Sequence, residues 1–423
     1  MMVNILTFVK EGTMSELVKT VKLRLYADSR ADALFRELTR RYADACTDIS
    51  RYVFDHGFIL NFMELQKHLY DSVREEHGLK SQMTISAFKT VTARYKTIQE
   101  QLKQKPYKYR VSDKKTITVS RTLEWLTKPI VFRRPQADLV RGRDYSFIQG
   151  RNLLSLNTLD KRAVVPFAHP ECFGQYFDGT WSLGTGKLVE QNGIWYFHIP
   201  ATKAAGSELD PHAPKHVVGI DRGLRFLATV YDEEEKTTFL SGAEVLAKRN
   251  RFADTRAHLQ SKGTKSAKRA LKRISGRENR WMSDVNHQIS KTLVRKYGPG
   301  TLFVLEDLTG VSFSEENLSG KSNDSRRQLR SWTFYQFEQF LAYKAKENGS
   351  DILKVPADYT SQRCPKCGRI RKENRDHEHH EYVCDCCGYR SNDDRVGAMN
   401  IRMLGTMYVS GDANPRFGPR KTN

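Results

Sequence analysis

Residues 216–232 read HVVGIDRGLRFLATVYD, and residues 301–308 read TLFVLEDL. The first stretch predicts two strands, Val217 to Ile220 and Arg225 to Tyr231, with Arg222-Gly223 in the turn between them. Lys236 to Leu240 offers a third strand. The second stretch is apolar but too short for a helix, so it reads as a buried parallel strand. Asp351 to Val355 adds another. A hairpin followed, after a helix-prone interval, by buried parallel strands describes an α/β sheet. Acids mark its ends. Asp221 follows the first hairpin strand, Glu306 closes LFVL, and Asp394 precedes GAMNIRML (397–404), which predicts a short helix.

Each acid alone has an ordinary explanation. An Asp before Arg-Gly is a common turn former, a Glu-Asp pair at a strand end is commonly solvated, and Asp393-Asp394 suits a helix cap. Their order carries more weight. Hairpin, strand-end and helix-borne carboxylates in that sequence suit a ribonuclease H-type fold, which converges them on one sheet edge. Carboxylate oxygens are hard donors suited to Mg²⁺. Two such ions about 3.5–4 Å apart activate water and stabilise the leaving oxygen in phosphodiester hydrolysis. Three carboxylates without a nearby His disfavour a zinc hydrolase. Spacing does not choose between Asp393 and Asp394.

The chain has 423 residues, enough for about three domains at ~150 residues each. Hydrophobic residues make up 39%, sufficient for a sizeable core. No run of 18 apolar residues occurs, which excludes a helical membrane span. The N-terminal apolar stretch is too short for a secretory signal, and Met14, just before the first regular pattern, is a candidate start. Seventy Lys+Arg against 49 Asp+Glu leave a formal charge of +21. That excess asks for a polyanion. No amphipathic anchor or lipidation motif points to lipid, so nucleic acid is the expected partner. Residues 248–280 hold twelve Lys/Arg against two acids. Lys248, Arg249, Arg251, Lys265, Lys268, Arg269, Lys272 and Arg273 are the candidate phosphate contacts. Trp332, Phe334, Tyr335, Phe337 and Phe340 recur at helical spacing and read as core rather than as a stacking surface.

Five of the seven cysteines crowd into residues 364–387. Cys364-Pro-Lys-Cys367-Gly and Cys384-Asp-Cys386-Cys387-Gly are paired C-x2-C-G knuckles. Cys364, Cys367, Cys384 and Cys387 complete a tetrahedral sulfur set for one structural Zn²⁺, with Cys386 a spare thiol. His377, His379 and His380 read as a polar ribbon tip.

The N-terminal half changes period twice. Glu16 to Tyr26 alternates as a strand. Helical spacing follows, capped at Ser29, with further helices over Phe62 to Glu76 and Thr84 to Leu102. This helical block extends to about residue 125, and its KPYKYR (105–110) mixes aromatic and basic residues. From about 130 to 205, VVPFAHP, TWSLGTGKLVE and GIWYFHIPA predict strands and hairpins of a small barrel or sandwich. Thr202 to Pro214 reads as a linker.

GIDRGLRFLAT, LEDLTG, YTSQRCPKCG and YVCDCCGYRSNDDRVGAMNI, in this order, resemble the transposon-encoded TnpB (OrfB) nucleases, relatives of the type V CRISPR single-effector nucleases. The match covers roughly 215–402. It implies an α/β multidomain protein: a RuvC-like (ribonuclease H-type) nuclease domain with a zinc-ribbon insertion, and a β-barrel wedge domain interrupted by a helical recognition lobe. The implied boundaries are wedge 1–27 and 129–205, lobe 28–128, linker 206–215, nuclease motifs I and II 216–358, zinc ribbon 359–391, motif III 392–403 and a basic tail 404–423. The family's catalytic, Mg²⁺-binding acids fall on Asp221, Glu306 and Asp394. Its D-x-N-A-A-x-N-I pattern is kept at Asp394, Asn400 and Ile401, but Val396 replaces the Asn and Gly397 the first Ala. The implied activity is RNA-guided cleavage of double-stranded DNA beside a short flanking motif, with a guide RNA from a transposon end or CRISPR locus, in the prokaryotic cytoplasm at the nucleoid. The alternatives are a miniature type V effector, a non-cleaving RNA-guided repressor, and a transposase or resolvase acting without RNA.

Overall fold

The computed structural model describes residues 16–112, 115–148, 150–168, 171–204, 209–223, 225–308, 334–376 and 378–418. They fall into two compact units that divide after Lys203.

The first unit opens with strand β1 (Glu16–Arg24), whose alternate residues are buried as its period predicts. Helices α1 (Ser29–Asp55), α2 (Phe62–His77) and α3 (Ser81–Lys103) follow. The α1 stripe of Phe35, Leu38, Tyr42, Ile49 and Val53 is buried. Its cap is Asp28 and not Ser29. The Asp28 carboxylate accepts from the Ala31 backbone N–H at 2.7 Å, which leaves Ser29 as the first helical residue. Helix ends at Lys103, so the helical block does not reach 125. KPYKYR runs into β2 (Tyr107–Ser112), which pairs antiparallel with β3 (Lys115–Val119). Pro106 ends the helix side of that stretch, and alternating Tyr residues favour a strand.

Seven strands then complete the unit: β4 (Gln136–Leu139), β5 (Tyr145–Ile148), β6 (Leu153–Asn157), β7 (Arg162–Pro166), β8 (Ser182–Leu183), β9 (Gly186–Gln191) and β10 (Ile194–Ala204). One sheet runs β1-β10-β9-β4, with β8 also on β10, and another runs β5-β6-β7. A bridge between Leu25 and Phe167 connects β1 with β7. Trp195, Phe197, Ile199 and Ala201 alternate inward along β10.

The second unit begins at Ala204, and Leu209, within the expected linker, already packs on its core. Its sheet holds β11 (His216–Asp221), β12 (Phe226–Tyr231), β13 (Thr237–Ser241), then, after helices α4 (Ala243–Lys262), α5 (Lys265–Ile274) and α6 (Arg277–Tyr297), β14 (Thr301–Glu306). Helix α7 (Phe334–Glu347) leads to β15 (Asp351–Val355). The order is β13-β12-β11-β14-β15, with the first three antiparallel and β14 parallel to both neighbours. The basic interval is three helices because Gly263 and Gly276 break it, with φ of 61° and 73°. Those are left-handed values that end a helix cheaply only at glycine. The tract Ser314–Arg330 and Trp332 lie outside the described residues.

Strands β16 (Arg375–Asp376), β17 (Glu381–Val383) and β18 (Arg390–Asn392) form a small antiparallel sheet, followed by α8 (Asp393–Val409). α8 is longer than the short helix expected, so the expected tail starts inside it. Leu404 is buried and Phe417 joins the same core. Both faces of β14 are covered, which is why its sequence is continuously apolar. Phe303 and Leu305 meet Leu293 of α6 and Phe337 and Leu341 of α7, while Leu302 and Val304 meet Ile401 and Leu404 of α8. Phe337 and Phe340 of the aromatic stripe are core, whereas Tyr335 is 72% exposed. No helix among the described residues is long and apolar enough to cross a membrane.

Candidate metal centres and nucleic-acid interface

Parallel register brings the first two acids together. Ile220 of β11 pairs with Leu305 of β14, so Asp221 and Glu306 leave neighbouring strands at the same edge. The third comes from α8. The Asn392 side chain caps that helix by accepting from the Arg395 N–H at 3.1 Å, which puts Asp393 and Asp394 in its first turn.

Glycines let the helix lie close to the sheet. A Cβ on Gly219 would stand 2.3 Å from the Ala398 carbonyl oxygen, and one on Gly405 2.4 Å from Val304. Gly397, where the family pattern has Ala, faces the site itself: a Cβ there would stand 2.6 Å from the Asp221 Oδ2. Gly397→Ala is therefore expected to displace the Asp221 carboxylate. Binding of divalent cations at the acid edge should weaken about tenfold while the unfolding temperature hardly changes, because better helix propensity, about 1 kcal/mol, offsets the crowding. Wild-type Mn²⁺ affinity of this variant in a calorimetric titration would contradict that placement.

The acids repel one another. Asp221 retains a partly open surface, yet surrounding protein and the Glu306 and Asp394 carboxylates push it well above the usual carboxylate range. Burial also raises Glu306, against the Thr360 hydroxyl that donates to it and the nearby Arg222 and Arg375 guanidinium groups. Burial and Asp393 raise Asp394. Asp221 is thus the acid that feels both others. The three do not close as a set to within 4.8 Å. Asp394 groups instead with Asp393 and His380.

That grouping corrects the expectation that no His lies near the acids. His380 stands outside the cysteine set and sits 3.5 Å from the Asp393 carboxylate. Asp393 is buried and bonded at 2.9 Å to Arg375, which also lies 3.4 Å from Asp394. Asp393 is therefore committed to a structural ion pair, and Asp394 is the more open of the two. Arg222, buried, pairs with Glu338 at 3.1 Å and donates to the Glu306 carbonyl. Asn400 donates to the carbonyl oxygens of Thr360 and Arg363, both at 2.7 Å. Sequence reading names Arg222 as a turn residue, His380 as part of the ribbon tip, Asp393 as the alternative to Asp394 and Asn400 as part of the family pattern, but gives none of them these contacts, and it does not single out Thr360, Glu338 or Arg375.

The sulfurs of Cys364, Cys367, Cys384 and Cys387 all lie within 4.8 Å of one another. Cys364 to Cys387 is 3.6 Å and Cys367 to Cys384 3.5 Å. One ion at Zn–S distances of about 2.3 Å can reach sulfurs so spaced. The two knuckles repeat one geometry. Gly368 and Gly388 have φ of 76° and 71° and donate to the Cys364 and Cys384 carbonyls, both at 3.0 Å. The Arg369 backbone N–H holds the Cys367 thiol down to about 6, while burial pushes Cys364 up to about 12. Cys386 is exposed and outside the set. The four sulfurs are compatible with zinc.

Among the cationic candidates, Lys248, Arg251, Lys265, Lys268, Arg269, Lys272 and Arg273 are exposed on α4 and α5. Arg249 is not: it is buried and bonded to Glu278 at 3.2 Å, an acid it shares with Arg256. Lys265, Lys268, Arg269 and Lys272 share one face of α5.

Comparison with known proteins finds similarity to TnpB and Cas12f1 proteins. Residues 199–309 match the OrfB family model described as a probable transposase, and residues 334–401 match the Cas12f1-like TNB domain. The chain is 27% identical over 262 residues to a CRISPR-associated endodeoxyribonuclease Cas12f1 of Syntrophomonas palmitatica, covering 57% of this chain and 49% of that protein. It is 29% identical over 226 residues to the putative RNA-guided DNA endonuclease InsQ of Escherichia coli, covering 50% and 54%. It is 32% identical over 170 residues to the TnpB-like protein MJ0751 of Methanocaldococcus jannaschii, covering 38% and 59%. The matched stretch thus spans about half the length of these relatives. A Cas12f1–sgRNA–target DNA complex shares the fold at TM-score 0.55 and 12% identity, over 92% of this chain and 99% of that one. The mini-RNA-guided endonuclease CRISPR-Cas_phi3 does so at 0.53 and 11%, over 92% and 93%. The resemblance to TnpB (OrfB) proteins and their type V relatives is shown.

Proposed function

We propose that this chain is an RNA-guided DNA endonuclease that cleaves guide-matched double-stranded DNA, next to a short flanking motif, by Mg²⁺-dependent phosphodiester hydrolysis. The observation that supports this reading is that Asp221 and Glu306 leave adjacent parallel strands at one edge of a sheet of order β13-β12-β11-β14-β15, with both Glu306 and Asp394 raising the Asp221 carboxyl, as a ribonuclease H-type site would require. The donor set fits Mg²⁺: it is all oxygen, partly open, and short of compensating charge. Asp221, Glu306 and Asp394 would hold the ions, with Asp221 the acid placed to serve both. Bound there, Mg²⁺ supplies a nucleophilic water and charge stabilisation at the leaving oxygen. The protein's part is positioning. Thr360 orients Glu306, Arg222 fixes its backbone, and Arg375 and His380 hold the first turn of α8. The four ribbon cysteines would hold one structural zinc, and the β strands of the first unit would make the wedge barrel around the helical lobe.

The test is cleavage of a plasmid carrying a guide-matched target by protein purified with its co-transcribed RNA. Cutting should require the RNA, the match and Mg²⁺, and should vanish in Asp221→Ala and Glu306→Ala. Activity that survives ribonuclease treatment would instead identify a transposase or resolvase. The Cas12f1 similarity keeps a CRISPR effector as the second reading. A guide transcribed from a repeat-spacer array rather than a transposon end would select it.

The α5 face is proposed to contact phosphates. Replacing Lys265, Lys268 and Lys272 by Ala should flatten the plot of log affinity against log salt by about 0.7–0.9 per lost contact. An unchanged slope would remove α5 from the interface.

A further inference from the structure

A cavity of about 540 Å³ opens in the first unit, between the β5-β6-β7 sheet and the segment before β8. Its walls are aromatic. Phe147 meets Phe177 at 5.0 Å and Phe167 at 5.6 Å between ring centroids, and Tyr176 meets Trp181 at 5.1 Å. Arg141 and Arg151 stand exposed at its rim, with the Asn152 side chain beside them. No acid lines it among the described residues. Lys19 and Lys203 bring further positive charge to the Trp181 ring, at 5.4 and 6.0 Å from its centroid.

Aromatic faces stack on flat rings of any base, and guanidinium forks bind phosphate oxygens bidentately. The volume lies in the range of pockets that bury one small ligand. It has room for one unit, and the paired bases of a duplex have no free face to offer it. We infer that this cavity receives one unstacked nucleotide of a single-stranded nucleic acid, its base laid against the aromatic wall that Phe147, Phe177 and Trp181 line and its phosphates on Arg141 and Arg151. Asn152 supplies a donor and an acceptor for the base edge. The site lies in the first unit and does not depend on the nuclease reading. Its loss leaves the acids of the second unit intact.

Photo-crosslinking of the full chain tests this. The probes are a short single-stranded RNA carrying 4-thiouridine, the matching single-stranded DNA with 4-thiothymidine, and the RNA annealed as a duplex. Mapping by mass spectrometry should place crosslinks within residues 141–183 for a single strand and not for the duplex; the strand that reacts more identifies the source. Arg141→Ala with Arg151→Ala should lower the yield at that segment about tenfold or more while leaving crosslinks elsewhere unchanged. Phe177→Leu, which keeps apolar bulk without a flat face, should do the same. Unchanged unfolding temperatures verify that both variants fold. Absence of crosslinks at 141–183 with both single strands, or yields untouched in both variants, would overturn the assignment.

Discussion

Replacing Asp221 by Asn is expected to abolish cleavage and, at neutral pH, to raise the unfolding temperature of the Mg²⁺-free protein. The two effects have one cause. Asp221 is held among like charges and protein atoms that raise its carboxyl well above the usual range. The folded state then binds that proton more tightly than the unfolded chain, whose Asp titrates near about 3.9. Ionising it costs folding free energy, so stability falls as pH rises from about 4 through the raised folded value. Asn removes the cost at neutral pH and makes no difference where Asp221 is already protonated. A gain of about 1 kcal/mol corresponds to about 2–4 °C for a unit of this size. Differential scanning fluorimetry of the zinc-loaded protein without added Mg²⁺ should show that gain at pH 7 and its disappearance towards pH 4. Cleavage should fall by about 10³-fold or more, and Glu306→Gln should add little to the loss, because ligands of one site act as a unit. A variant less stable than wild type at pH 7 would contradict the electrostatic account, and a variant that still cuts would contradict the metal assignment.

Loss of the cysteine cluster should be the largest structural effect. The ribbon strands are two or three residues long, and their core is little more than Cys364, Tyr382, Cys384 and Val396. So small a core does not stand without a staple, and structural zinc contributes about 10–16 kcal/mol of apparent binding free energy in small metal-dependent folds. Cys364→Ser or Cys384→Ser should lower bound zinc from one per chain to none and open residues 359–391 to protease. Cleavage should be lost with it, because Arg375 and His380 of the ribbon hold Asp393 and Asp394 at the start of α8. Zinc content by elemental analysis, limited proteolysis and cleavage together make the check. A zinc-free variant that cuts at the wild-type rate would separate ribbon from active site.

What could be read from residues alone was whatever is local or periodic. The β11 hairpin, the apolar β14 and the two knuckles carry their signals within a few positions. The β14 run stays apolar because α6, α7 and α8 cover both of its faces. Other features depend on partners far along the chain. QADL, YSFI and LLSLN become β4, β5 and β6 only because neighbouring strands accept them. The Arg375–Asp393 pair, the approach of His380 and the burial of Arg249 on Glu278 have no spacing rule behind them. Gly397 was visible as a departure from the family pattern, but its reason, the Asp221 oxygen facing it, needed the packed helix.

The central claim is that Asp221, Glu306 and Asp394 hold divalent ions in common. Crystals of the RNA-bound protein soaked in Mn²⁺ and measured at the manganese edge test it directly. The account predicts anomalous peaks about 2.0–2.3 Å from oxygens of all three residues, with Asp221 touching every peak. Peaks confined to Asp393 and His380, or none beside Asp221, would contradict it.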